Sequence, residues 1–433
     1  MLRRPPPALK TLAALTGLLL AVACAVSPPP RPMAQPGPAA APQAPAQPRA
    51  VIPINAPPAP VPSPFERFLA QMQVAARAQG IRDEVFRAAT ANLAPIASVT
   101  AANENQPEFS RPVWAYLDGA VSARRIKDGQ TLMAQHRAML DRIAGNSGVP
   151  REILLAIWAM ETDYGRTQGS FNIFAALATL GHDGPRQAFG REEFLAALRI
   201  LQERNYLVSS MRSSWAGAFG QTQFTPTTFL RFAADGDGDG RINLWESSAD
   251  AIASAANLLA QQGWKTNEAW GYEVRLPKGF AYDQADVEIL KSVSEWRKLG
   301  VTTIGGAPLP PYAEQASIYL PAGAKGPAFL LLPNFNVILK YNNAASYALA
   351  VATLGDRIMG RPGITGSWPR SETPLSREQR MAFQRGLAAA GFDPGAADGV
   401  LGRRTRAATR DWQKARGLVA DGYPSVELLG LLR

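Results

Sequence analysis

The tightest constraint on this chain is the run Val149-Pro150-Arg151-Glu152-Ile153-Leu154-Leu155-Ala156-Ile157-Trp158-Ala159-Met160-Glu161-Thr162-Asp163-Tyr164-Gly165-Arg166. Its ends read as helix ends: Asn146 and Ser147 offer N-caps, Pro150 suits a first turn and Gly165 suits a stop. Ile153, Ile157 and Glu161 recur every four residues, and Leu154 lies seven before Glu161. The Glu161 carboxyl therefore projects from the apolar face near the helix end. A carboxyl held there loses hydration, its pKa rises, and it keeps a proton near neutral pH, the profile of a general acid. The position equally suits a carboxylate that bends to solvent or pairs with an arginine, and the stretch alone leaves both open. Asp163 is turned about 200° away around the same helix, which makes it a poor catalytic partner.

Scarcity narrows the chemistry. The 433 residues include two histidines, His136 and His182, and one cysteine, Cys24. Zinc sites built from His and Cys, Cys–His nucleophiles and structural disulfides are all but excluded, and neither histidine sits in a triad motif. Catalysis must rest on carboxylates, amides, hydroxyls and backbone. An apolar content of 46% can fill the cores of two or three domains. The formal charge of +10 points to an anionic partner: nucleic acid, a membrane surface or an acidic wall polymer.

Arg3, Arg4 and Lys10 precede the apolar run Leu12 to Val22, too short for a mature membrane span, and Leu20-Ala21-Val22-Ala23 leads into Cys24. This resembles the lipobox of bacterial lipoproteins. The resemblance implies export, cleavage that leaves a lipid on Cys24, and, because Ala25 rather than Asp follows, the outer membrane. An ordinary signal peptide cut nearby is the alternative. Residues 1–23 are thus expected to be a signal peptide, and residues 24–63, rich in Pro, Ala and Gln, a tether with no core of its own. At roughly 3.1 Å per residue such a tether spans on the order of 100 Å. Helical patterning runs through residues 64–360, and the clearest strand-like run is Gly326 to Leu339. Residues 361–374, rich in Pro, Gly and Ser, read as a second linker, and residues 375–433 as a separate module of three helices.

Asp235-Gly236-Asp237-Gly238-Asp239-Gly240-Arg241-Ile242-Asn243-Leu244-Trp245-Glu246 fits the EF-hand calcium loop, with acids at positions 1, 3 and 5, Gly at 6 and Glu at 12. Arg241, at position 7, would supply only its carbonyl. Helical segments flank the loop at Thr225 to Ala234 and Ser248 to Gln261, and a single hand suits a structural staple better than a sensor. Upstream, Ser214-Trp215-Ala216-Gly217-Ala218-Phe219-Gly220-Gln221-Thr222-Gln223-Phe224-Thr225-Pro226 mixes glycines, aromatic rings and amides. A sugar cleft needs that mixture, although a merely structural Gly-rich turn would look the same. Tyr341-Asn342-Asn343 and Tyr347 form a later cluster, in which Tyr347 and Val351 also fit a core face.

Together these stretches resemble the lytic transglycosylases of bacterial cell walls, specifically the membrane-bound B type. The matching pieces are Val149-Pro150 through Gly165-Arg166, Ala175 to Leu180, Ser214 through Pro226, Ile242-Asn243-Leu244-Trp245, Gln262-Gly263-Trp264, and Leu332-Pro333-Asn334-Phe335 through Tyr341-Asn342. The resemblance implies a mainly α, lysozyme-like α+β catalytic domain with an inserted EF-hand-like loop and Glu161 as its single catalytic carboxylate. It implies that Ser214, Gln223, Tyr341, Asn342, Tyr347, Tyr116 and Arg186 contact the glycan or support the glutamate. It implies a calcium shell of Asp235, Asp237, Asp239 and the Arg241 carbonyl, closed by Glu246 or by Asp250, with Asp250 favoured. Asp398-Gly399-Val400-Leu401-Gly402-Arg403-Arg404-Thr405-Arg406-Ala407-Ala408 resembles the small three-helix peptidoglycan-binding domain, and its arginines suit either an anionic wall or plain solvent.

A glycosidase with two carboxylates needs them about 5–9 Å apart, and no second acid stands in a motif here. The resemblance supplies another route. Protonated Glu161 protonates the oxygen joining N-acetylmuramic acid to N-acetylglucosamine, then takes the proton of the muramyl C6 hydroxyl as that oxygen closes on C1. The product is a 1,6-anhydromuramyl end, made without water or a catalytic cofactor, with Ca²⁺ in a structural role. The expected partners are peptidoglycan strands, an outer-membrane lipid anchor and cell-wall synthesis complexes, with a monomeric chain in the periplasm and no nucleic acid. A hydrolytic muramidase and a non-catalytic wall-binding lipoprotein are the competing functions.

Overall fold

The computed structural model describes residues 61–104, 111–310 and 315–432. The expected signal peptide, Cys24 and the tether as far as residue 60 lie outside the described residues. Among the described residues no helix is long and apolar enough to cross a membrane.

The helix Arg151–Thr162 stands at the centre, with every residue from Glu152 to Ala159 buried. A helix apolar on all sides must be surrounded. Ala345–Ile358 packs along it, and Ala123–Gln135, Arg137–Ser147 and Ser248–Gln261 complete the ring. Ala348, Ala352 and Gly355 keep one face of Ala345–Ile358 small, and a Cβ at Gly355 would lie 3.2 Å from the Glu152 carbonyl oxygen. Ile173–His182 and Gln187–Arg204 pair beside this core, with Pro64–Ala78 and Asp83–Thr90 packed on them. The caps of the central helix differ from expectation. Ser147 ends the preceding helix, its hydroxyl donating to the Ile143 carbonyl at 2.8 Å. Gly148, at φ 73°, turns the chain, and Pro150 itself takes the cap position.

The sheet is small and antiparallel, in the order Thr302–Thr303, Gly271–Arg275, Ala328–Leu331, Ser317–Tyr319, with Tyr272 and Ile318 both opposite Leu330. It closes a second core around Trp296, Val293, Val274 and Phe280. The strand-like run Gly326 to Leu339 divides: only Ala328–Leu331 is strand, and Pro333–Tyr341 is helix. Pro333 cannot donate to a ladder but fits a first helical turn. Asn334 fixes the switch, accepting from Lys265 N at 2.7 Å and donating to the Glu268 carbonyl at 2.7 Å.

At the C-terminal end, helices Arg377–Ala389, Arg403–Ala415 and Val426–Leu431 enclose Phe383, Leu387, Trp412 and Leu429. Residues 361–374 are held down at intervals. Arg361 pairs with Asp356 and Glu152, Thr365 and Gly366 donate to Glu273, Trp368 packs on Trp114, and Arg370 pairs with Asp118. The arginine-rich helix Arg403–Ala415 pairs part of its charge with the body of the molecule. Arg406 donates to the Leu320 carbonyl at 2.7 Å, Lys414 meets Asp283 at 2.6 Å, and Arg403 reaches Glu288 at 3.1 Å and Asn343 at 3.0 Å. Arg410 and Asp286 form a largely buried pair at 2.7 Å. A cavity of about 950 Å³ remains between this module and the preceding residues, lined in part by Arg111, Trp114, Tyr319, Arg380 and Arg403.

Removing one partner of a buried ion pair strands the other and costs about 3–5 kcal/mol, whereas the exposed pairs contribute little. Asp286→Ala should therefore loosen the docked module, seen as faster tryptic cleavage within residues 361–374. Glu288→Ala should leave the cleavage rate unchanged.

Candidate active site

Glu161 lies one residue before the end of the central helix, where the chain turns sharply. Asp163 (φ 52°) and Tyr164 (φ 61°) both adopt left-handed backbone before Gly165 (φ 85°). Such residues cost of order 1 kcal/mol or more each and persist only where the surroundings fix them. Here they are fixed. The Asp163 carboxylate meets Arg124 at 2.9 Å, Arg166 at 3.3 Å and Arg125 at 3.4 Å. The Tyr164 hydroxyl donates to the Arg125 carbonyl at 2.7 Å. Thr162 Oγ1 donates to the Gln221 carbonyl at 2.5 Å and accepts from Gly165 N at 2.9 Å. Asp163 thus faces arginines and not Glu161; partial burial pushes its carboxyl up, but Arg124, Arg125 and Arg166 together hold it below the usual range.

The Glu161 side chain faces tyrosines. Tyr347 is buried and its hydroxyl donates to Glu161 Oε1. Tyr341 lies parallel to Tyr347, with ring centroids 6.5 Å apart, and donates to the Thr222 carbonyl at 2.5 Å. Loss of hydration pushes the Glu161 carboxyl up to about 7, against the Tyr347 hydrogen bond, which lowers it. Among the described residues no carboxylate contributes to that shift. Burial first, and the Glu161 charge second, push Tyr116 up to about 12 and Tyr341 and Tyr347 well above the ordinary phenol value. All three therefore remain neutral donors.

The other residues expected at the site are held by contacts of their own. Ser214 Oγ accepts from Ala218 N at 3.2 Å and shapes the Gly217 turn. Gln223, left-handed at φ 48°, donates to the carbonyls of Gly220 at 3.0 Å and Gln168 at 3.2 Å. Asn342 is exposed just past the helix Pro333–Tyr341. Arg186 lies in a separate cluster, its guanidinium 4.4 Å from the Phe189 ring centre and 5.7 Å from that of Trp215, next to Ser214. Sequence reasoning passed over Thr162 and Gln221. Their roles depend on contacts between segments about 60 residues apart, although the polar Thr162 beside Glu161 on an apolar helix was a usable signal.

In the Asp-rich loop, Asp235, Asp237 and Asp250 bring carboxylate oxygens within 4.8 Å of one another. Asp250 is buried and accepts from Gly236 N and Asn243 N, each at 2.7 Å. Glu246 is exposed and accepts from the Asn243 side chain at 3.0 Å, outside that cluster. Asp239 accepts from Arg241 N at 2.7 Å. Three converging hard oxygen donors suit a calcium ion, and Arg142 donates to the Gly236 carbonyl in the same loop. Helices Pro226–Phe232 and Ser248–Gln261 flank the loop.

A half-buried lone glutamate among tyrosines, an Asp-rich loop and a mainly helical body define a class. Residues 64–356 match the family described as the transglycosylase SLT domain, and the chain belongs to that family; residues 376–432 match a peptidoglycan binding domain. The chain is a lytic murein transglycosylase acting on peptidoglycan. Among individual proteins, it is similar to SltB3 from Pseudomonas aeruginosa, solved in complex with NAG-anhNAM-pentapeptide. The identity is 47%, the TM-score 0.82, and the match covers 85% of this chain and 99% of SltB3. The membrane-bound lytic murein transglycosylase B of Escherichia coli is 31% identical over 274 residues, 62% of this chain and 72% of that protein. The Escherichia coli transglycosylase Slt35, solved in complex with calcium, shares 28% identity at a TM-score of 0.59, over 68% of this chain and 92% of Slt35. The family, the fold class and the enzymatic class expected from the sequence all stand.

The raised carboxyl carries a sign for stability. Glu161 binds its proton up to about pH 7 in the folded chain, against an ordinary value of 4.5, so stability falls as pH rises across that window. The loss amounts to about 3 kcal/mol above it. Glu161→Gln, which cannot ionise, should melt higher than wild type at pH 8, and the gain should vanish at pH 4.5. A gain independent of pH would remove the buried-acid reading.

Proposed function

We propose that Glu161 is the single acid and base of the transglycosylase reaction. Its isolation among tyrosines, with a carboxyl pushed up to about 7, is the observation that supports this reading most. In the resting enzyme Glu161 holds a proton and Tyr347 orients the carboxyl. Glu161 gives that proton to the oxygen linking N-acetylmuramic acid to N-acetylglucosamine, and the bond from that oxygen to muramyl C1 breaks. The C6 oxygen then bonds to C1, and its proton passes to the Glu161 carboxylate. One C–O bond breaks, one forms, the acid is restored and no water is consumed. A 2-acetamido group can stabilise the positive charge that a second carboxylate would otherwise meet.

Ser214, Gln223, Tyr341, Asn342, Tyr116 and Arg186 are assigned to the glycan cleft, where stacked rings and amides suit a sugar's apolar face and polar rim. SltB3, similar across 85% of this chain, was solved with a disaccharide-pentapeptide, which supports a peptide-bearing glycan as substrate. Asp235, Asp237 and Asp250, with Asp239 and the Arg241 carbonyl as further donors, are assigned to a structural Ca²⁺ site, supported by the calcium complex of Slt35. Residues 64–360 are assigned as the catalytic domain and residues 375–433 as the wall-binding module. Cleavage before Cys24 and lipid attachment there would place both in the periplasm at the outer membrane, a reading supported by the membrane-bound relative.

Mass spectrometry of muropeptides released from purified peptidoglycan tests the chemistry. The wild type should yield fragments lacking a reducible muramyl end, one water lighter than hydrolytic products, and Glu161→Gln should release none. Hydrated, reducible ends would instead make the enzyme a muramidase. For the metal site, a ligand at a hundredfold its Kd stabilises by about 2.7 kcal/mol. Chelation should lower the melting temperature of wild type and of Glu246→Ala but leave Asp250→Ala unchanged; an unaltered wild-type melt would remove the staple.

A further inference from the structure

Gln221 sits between the Asp-rich loop and the helix that carries Glu161. It is 6% exposed, and its polar groups are fully engaged. Toward the loop, its N donates to the Leu244 carbonyl at 2.8 Å and its Nε2 to the Trp245 carbonyl at 3.3 Å. Toward the helix, its Oε1 accepts from Trp158 Nε1 at 3.0 Å and its carbonyl accepts from Thr162 Oγ1 at 2.5 Å. Packing is close enough to restrict its neighbour, since a Cβ at Gly165 would lie 2.7 Å from Gln221 Oε1. Trp158 and Thr162 flank Glu161 on its own helix, three residues before and one after.

The next residue extends the same link. Thr222 Oγ1 donates to the carbonyl of Ala251, adjacent to Asp250, at 3.3 Å. The Thr222 carbonyl accepts from Tyr341, which stacks on Tyr347, which donates to Glu161. Two adjacent residues thus contact Leu244, Trp245 and Ala251 on the loop side and Trp158, Thr162 and Tyr341 on the Glu161 side.

We propose that Gln221 is a positioning residue that couples ion binding in the Asp-rich loop to the geometry of Glu161 through Trp158 and Thr162. The inference rests on the reading of Glu161 as the acid. An ion that gathers Asp235, Asp237 and Asp250 fixes Leu244 to Ala251. Gln221 passes that fixity to the last turn of the helix, and the coupling is reciprocal. The groups facing Glu161 are Tyr116, Tyr341 and Tyr347; Arg124, Arg125 and Arg166 are paired with Asp163, and Asp250 with backbone N–H groups. A looser helix end therefore admits water and not a new charge, and Glu161 ionises at lower pH.

The test compares wild type with two variants. Gln221→Met, close in size, loses the side-chain bonds to Trp158 and Trp245 but keeps the backbone bonds to Leu244 and Thr162. Thr222→Val breaks the Ala251 link and keeps the carbonyl for Tyr341. Each is measured as full chain with Ca²⁺ and with chelator for kcat, KM, the pH profile and melting temperature, and calorimetry gives the Ca²⁺ affinity. In wild type, chelation should move the basic limb of the kcat/KM profile down by about one pH unit. It should also lower kcat about tenfold while KM holds within about twofold. Gln221→Met should show part of that shift even with Ca²⁺, respond less to chelator than wild type, and bind Ca²⁺ about threefold more weakly. Thr222→Val should move the same way, and it decides the matter if Gln221→Met does not fold. A lower melting temperature with an unmoved pH profile and an intact response to chelation would reduce Gln221 to a structural residue and overturn the inference. Glu161→Gln in the same assay separates the two readings, because its retained activity would remove Glu161 as the acid whatever Gln221 does.

Discussion

A carboxyl kept away from water at the end of an apolar helix is expensive, and most of this molecule is arranged to hold it there. Water would solvate the charged form readily, so the surrounding structure must be tight enough to keep it out and polar enough to meet one oxygen. Tyr347 meets it, Tyr341 backs Tyr347 from the end of the preceding helix, and small residues on Ala345–Ile358 let that helix approach closely enough to present Tyr347. The arginines that gather Asp163 keep the neighbouring charge turned outward. Protonation near neutral pH follows from this packing and not from a partner acid.

Much of this was legible in the chain because it is local. The spacing of Ile153, Ile157 and Glu161 places the carboxyl on a buried face, and the acids and glycines from Asp235 to Glu246 describe their own loop. Features set by distant contacts were not. The strands of the four-stranded sheet are two to five residues long, too short for alternation to show, and their register depends on partners far along the chain. Tyr347 read equally as core and as site, and it is both: buried by packing, with its hydroxyl on Glu161. The choice between Glu246 and Asp250 turns on where a carboxylate points, which loop spacing does not encode. Only Asp250 is drawn inward, by the backbone N–H groups of Gly236 and Asn243.

Composition says least about where charge is placed. The arginines of Arg403–Ala415 suit either an acidic polymer or plain solvent, and the structure divides them: Arg410 is buried on Asp286 and Arg406 reaches the Leu320 carbonyl, whereas Arg403 stays exposed in its pair with Glu288. The proline- and glycine-rich residues 361–374 look like a free spacer, yet Glu273, Asp118 and Trp114 hold them down. Net charge counts side chains without saying which are already paired. It is therefore a weaker guide to the outer surface than to the chain as a whole.

The left-handed pair at Asp163 and Tyr164 has a consequence for anyone seeking a hardier version of this enzyme. Glycine is the customary remedy for residues at positive φ, since it removes the clash of Cβ with the backbone. Here that remedy would discard the carboxylate that collects Arg124, Arg125 and Arg166, or the hydroxyl tied to the Arg125 carbonyl. Relief of the backbone and retention of the anchor are thus mutually exclusive at these two positions. Thermostabilisation of this scaffold is better directed to surfaces remote from the end of the central helix.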